Sequence, residues 1–143
     1  MSPGAPKGGK RARSFTLDEA NRTLPLVSRV VRDVVEQYVA LTPAQEELEQ
    51  LKGREAAAPA ALARIAELEQ AIEERVGLIN GFLMEINQVG CELKDFRTGL
   101  VDFPAWHDGR LVFLCWRMGE EQVGYWHEVR AGVRGRKPVG SDF

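Results

Sequence analysis

The sequence predicts an α+β protein, mostly α, in which a long antiparallel helical hairpin of coiled-coil type is followed by a small antiparallel β-meander. Three observations carry that expectation. Apolar residues step by three and four over two long stretches either side of Gly53 to Pro59; the stepping stops at Gly90; and beyond it short apolar and aromatic runs alternate with tight-turn residues. At 143 residues the chain fits one domain, placed at 14–143, and can bury a core without covalent staples.

Residues 1–13 hold Gly, Pro, Lys and Arg with little to bury, and are expected to form a disordered basic tail. The first helix, over 14–52, opens on Thr16 and Glu19, the T-x-x-E spacing of a capping box. Its seam runs through Leu17, Ala20, Leu24, Val27, Val31, Val34, Tyr38, Leu41 and Leu48. Pro25 removes an amide from the helix, and Thr42-Pro43-Ala44-Gln45 reads as a fresh helix start, so a kinked or restarted rod is expected. The second helix, over 60–89, carries Ile65, Leu68, Ile72, Ile79, Phe82, Ile86 and Val89, with Arg75 at a seam position that Val76 is expected to fill by a slight rotation. In the meander, over 90–130, Asp108-Gly109 signals a two-residue hairpin turn and Met118-Gly119-Glu120-Glu121 the next turn, giving two or three strands. Residues 131–143 are rich in glycine and basic side chains and are read as an irregular arm.

Charge and composition exclude several functions. A net charge of −2 argues against a large phosphate footprint on nucleic acid, the basic ends offering weak contacts only. No apolar run approaches the ~20 residues of a membrane span, and the N-terminus has no apolar segment of a secretory signal. Two cysteines without metal-type spacing read as free thiols in a reducing cytoplasm.

The chemistry-bearing residues concentrate after Gly90, which takes in all three tryptophans, both cysteines and both histidines. Asp102, Glu120, His127 and Glu128 are the candidate ligands of a divalent transition metal, since carboxylate and imidazole donors suit zinc, iron or manganese. Strand alternation puts His127 and Glu128 on opposite faces, so Asp102 and His127 from neighbouring strands, joined by Glu120 from the turn, form the more plausible group. Asp95, Trp116, Trp126 and Arg136 are candidate contacts for a flat or anionic ligand, and Trp106, Trp116 and Trp126 together offer a stacking surface. The competing expectation is structural: indoles capping a core, and Arg136 anchoring the arm on Asp95 or Asp102. A nucleophilic Cys115 paired with His127 is disfavoured, because an apolar strand suppresses the thiolate. Val30, Val35 and Val39 suggest a second apolar stripe on the first helix, and with it a homodimer.

The runs EANRTLPLVSRV, GCELKDFRTGLVDFPA, GRLVFLCWRMGE and YWHEVRAGVRGRKP, in that order between Phe15 and Pro138, resemble the bacterial family known as domain of unknown function 2203. That resemblance implies a compact prokaryotic protein with a helical hairpin and a C-terminal strand region, and carries over no catalytic residue. The function expected from the residues is that of a cytoplasmic association or scaffold module, with a small metal- or ligand-binding protein as the alternative.

Overall fold

The computed structural model describes residues 13–53, 58–141 and 143. The expectation of disorder over the N-terminal tail falls outside these residues except at Arg13, whose guanidinium lies 4.3 Å from the Phe15 ring centroid. Two helices, α1 (Leu17–Lys52) and α2 (Pro59–Val89), pack against each other as the seams require. Thr16 caps α1 through its hydroxyl, which accepts from the Glu19 amide, while the Glu19 carboxylate accepts from the Thr16 amide. That pair satisfies two of the four amides a helix start leaves free.

α1 is a single element through both prolines, so Thr42 caps nothing and the helix does not restart. Pro25 and Pro43 lie on its exposed side, where water can take the carbonyls they leave without a partner. Arg75 keeps its place in the seam instead of yielding to Val76: it donates to the Gln37 side chain at 2.9 Å, and Val76 stays 40% exposed. The αL residue Gly90, with φ at 110°, ends α2.

The strand region is larger than expected. Five antiparallel strands lie in sequence order: β1 (Glu92–Asp95), β2 (Leu100–His107), β3 (Arg110–Arg117), β4 (Tyr125–Glu128) and β5 (Lys137–Pro138). The basic arm is therefore not irregular throughout. It contains a 3₁₀ turn at Val133–Gly135 and an edge strand, and Val139 and Phe143 pack on the core. Asp108 and Gly109 both have positive φ, 52° and 77°, the backbone of a type I′ turn. This turn sets His107 opposite Arg110 and so the whole β2–β3 register.

The inner face of the sheet presents Val101, Phe103, Ala105, Val112, Leu114 and Trp116 to the helices. Val30 and Val35, read as a second stripe, are buried at 4% and 8% exposure in this same core. The second partner of α1, after α2, is the sheet, and only Val39 of that stripe remains exposed. Asn21 ties the two layers: its side-chain amide donates to the Val123 carbonyl and its oxygen accepts from the Val123 amide. Among the described residues, no helix is long and apolar enough to cross a membrane.

Candidate functional site

The outer face of the sheet is built from the alternate residues Asp102, Pro104 and Trp106 on β2, Leu111, Phe113 and Cys115 on β3, and Tyr125 and His127 on β4. Although this face points away from the helical layer, its centre is dry: Cys115 is 0%, His127 3% and Asp102 5% exposed. The arm after β4 returns along its edge as β5, and the Arg136 side chain reaches over the face, its guanidinium 4.0 Å from the Tyr125 ring centroid. Phe113 lies against the His127 imidazole with ring centroids 5.6 Å apart.

Three potential donors meet there. The ligand atoms of Asp102, Cys115 and His127 all lie within 4.8 Å of one another. His127 Nδ1 is 2.8 Å from the Glu128 backbone carbonyl, which only accepts, so Nδ1 carries a proton. Nε2 then faces Asp102 Oδ1 at 3.0 Å. Burial and the neighbouring Asp102 charge push the Cys115 thiol up to about 11. His127 Nε2 is engaged by the carboxylate and the thiol is pushed up, so Cys115 is not an activated nucleophile.

The remaining sequence candidates are held elsewhere. Glu120 accepts from Arg136 and from the Arg117 amide, each at 2.8 Å, so it does not join Asp102 and His127. Burial raises its pKa, but the Arg136 and Arg117 bonds outweigh this and hold the carboxyl below its ordinary value. The partner of Arg136 is thus Glu120, not Asp95 or Asp102: the residue precedes β5, and its guanidinium reaches across the Tyr125 ring to that carboxylate. Among the described residues, Arg136 Nε alone is a buried side-chain polar atom without a partner. Glu128 pairs through its side chain with Arg110, at 3.0 Å from Nε. Asp95 closes the turn after β1 by accepting from the Arg97 and Thr98 amides, which lowers its pKa. Trp116 is a core residue whose Nε1–H donates to the Glu120 carbonyl, and Trp126 is 9% exposed beneath Lys137. Trp106 is exposed at 63%, so the three indoles share no stacking surface.

Asp102 also lines a cleft of about 750 Å³ between the end of α2 and the outer face of the sheet. Its walls include Met84, Asn87, Gln88 and Val89 from α2 and Pro104 and Phe113 from the strands. The sequence pattern marks Cys115 as a nucleophile or a small core residue, not as a ligand, and gives no sign of the α2 residues. The signal for Cys115 was present: a two-residue turn at 108–109 sets Asp102 opposite Cys115.

A model of the family described as "Uncharacterized conserved protein (DUF2203)" matches residues 13–139. Among curated proteins and among solved structures, none matches the chain.

Proposed function

We propose that this chain, which belongs to the DUF2203 family of uncharacterized conserved proteins, binds a divalent transition-metal ion through Asp102, Cys115 and His127. The observation that carries the reading is the convergence of one oxygen, one sulfur and one nitrogen donor within 4.8 Å at a buried point. Carboxylate, thiolate and imidazole together suit zinc or iron(II) and do not suit calcium or magnesium, which prefer oxygen alone. The bond from His127 Nδ1–H to the Glu128 carbonyl supports the same reading, since metal-binding imidazoles commonly anchor their other nitrogen this way. Entry of the ion displaces to solvent both the thiol proton and the proton held between His127 Nε2 and Asp102 Oδ1.

The test is metal content by mass spectrometry on untagged, natively purified protein, repeated after dialysis against zinc. Near-stoichiometric metal, lost in both His127→Ala and Asp102→Ala, is the expected result. Wild-type protein that takes up no zinc, iron or manganese would overturn the reading.

A second reading, association with another copy of the chain, is supported by one observation. Trp106 and Leu111 oppose each other on the outer face and are 63% and 41% exposed, an apolar pair with no cover from the chain's own described residues. Sedimentation would show a dimer that Trp106→Asp dissociates; a wild-type monomer at high concentration ends this reading.

A further inference from the structure

Resting on the metal-binding reading, we infer that the ion keeps one coordination position turned toward the cleft beside Asp102, and takes there a small neutral nitrogen or oxygen donor of the azole or amide class. Three protein donors converge, one short of the four that close a tetrahedral site. Among the described residues no further carboxylate joins the group: Glu120 is bound by Arg136, Glu128 by Arg110, and Glu92, opposite Asp102 on β1, lies outside the 4.8 Å cluster and 3.7 Å from Lys94. Asp102 is the member of the group that also lines the cleft, whereas Cys115 and His127 lie behind it at 0% and 3% exposure. A fourth ligand therefore approaches from the Asp102 side.

The charge around the position selects the ligand. A dication held by one carboxylate and one thiolate has no net charge left to attract an anion. The cleft adds Glu92 and the C-terminal carbonyl end of α2, the negative pole of that helix. Arg13 on the rim offsets this in part, and its guanidinium already donates to the Val89 carbonyl at 3.4 Å. The walls suit a flat molecule with some polarity: Phe113, Pro104 and Met84 offer apolar surface, and Asn87 and Gln88 offer amides. At about 750 Å³ the cleft is within the range of small-molecule sites. The ligand's lone pair forms a bond to the ion, and nothing is oxidised or reduced.

The experiment uses the full chain loaded with cobalt(II), whose visible absorption reports its coordination, with imidazole as the neutral probe and acetate as the anionic one. Imidazole should shift the cobalt bands to saturation while acetate leaves them in place. Gln88→Trp, which fills the cleft from an exposed position on α2, should weaken imidazole about tenfold and leave the unliganded cobalt spectrum unchanged. Met84→Trp gives the same test should the first variant fold poorly. Cobalt bands that ignore imidazole, that respond equally to acetate, or that respond equally in both Trp variants would overturn the inference while leaving metal binding intact. A chain that binds no cobalt would overturn the metal-binding reading and this inference together.

Discussion

Asp102 Oδ1 lies 3.0 Å from His127 Nε2 across the width of β3, with side-chain exposures of 7% and 3%. The pair links the two strands that flank β3 on the face away from the helices, and the Glu128 carbonyl fixes the imidazole from its other side. Among the described residues neither group has another ion-pair partner, and both lie in a nearly dry place. The position is therefore sensitive to single truncation.

His127→Ala should strand the Asp102 carboxylate in the sheet and cost about 3–5 kcal/mol, the usual penalty for leaving one half of a buried pair. Urea unfolding of the metal-free protein measures this directly. Because the helices pack through other residues, the far-ultraviolet helical signal of the folded variant should stay close to wild type. A loss below about 1 kcal/mol would mean that the pair is far better hydrated than its burial indicates.

Both thiols should be silent in the folded protein. Burial pushes the Cys91 thiol up to about 12 and Cys115 up to about 11, so neither forms thiolate at pH 8 to a useful extent. Cys91 also places its thiol 3.7 Å from the Ile86 carbonyl at the end of α2. A disulfide-exchange reagent should titrate neither cysteine in native, metal-free protein and both after denaturation. Rapid reaction of Cys115 in the native state would mean that the side chains around it, Arg136 among them, move aside readily.

The helical hairpin was legible in the sequence because a three-and-four spacing reports one buried stripe whatever lies beneath it. The sheet was only partly legible. Asp108-Gly109 sets the β2–β3 register, and with it the pairing of Asp102 with Cys115, from purely local chemistry. The step from β3 to β4 crosses residues 118–124, and no turn chemistry there specifies which residue of β4 faces Phe113. Lys137–Pro138 is too short for alternation to register as a strand. Val30 and Val35 looked like surplus because a helix cannot state from its own spacing that a sheet lies on its second face. The cleft joins the end of α2 to β2 and β3, so its walls come together only on folding.

The Glu120–Arg136 pair should give stability an acid-sensitive component. The Glu120 carboxyl titrates below its ordinary value in the folded state, although burial pulls the other way, because Arg136 and the Arg117 amide favour the charged form. A depressed folded value means the stabilisation is complete above about pH 4.5, the ordinary glutamate value, and is lost as pH falls through the folded one. Wild type should therefore lose about 1 kcal/mol more than Glu120→Gln between pH 6 and pH 3. Parallel stability curves for the two proteins across that window would show that the pair adds nothing.

Among the described glycines with positive φ, Gly99 should be the least replaceable. It turns from β1 into β2 at φ +74°, and a Cβ there would come within 2.8 Å of Met118 Cβ and 2.9 Å of Val31 Cγ1. Its carbonyl also accepts from the Met118 amide at 2.9 Å, so the segment cannot slide away without breaking a bond to the end of β3. Gly99→Ala combines left-handed strain, about 1–2 kcal/mol, with overpacking of about 1–3 kcal/mol. Two controls separate these contributions. Gly109→Ala at φ +77° has nothing within 4 Å of its new Cβ and should incur the backbone cost alone. Gly77→Ala lies within α2 with open space around it and should stabilise by about 0.5–1 kcal/mol. Thermal melts of the three variants should therefore fall in the order Gly77→Ala, Gly109→Ala, Gly99→Ala from highest to lowest midpoint. Equal losses at positions 99 and 109 would mean that α1 does not press on the β1–β2 turn, and that the seat of Val31 and Val35 against the sheet is looser than the close contacts at Gly99 require.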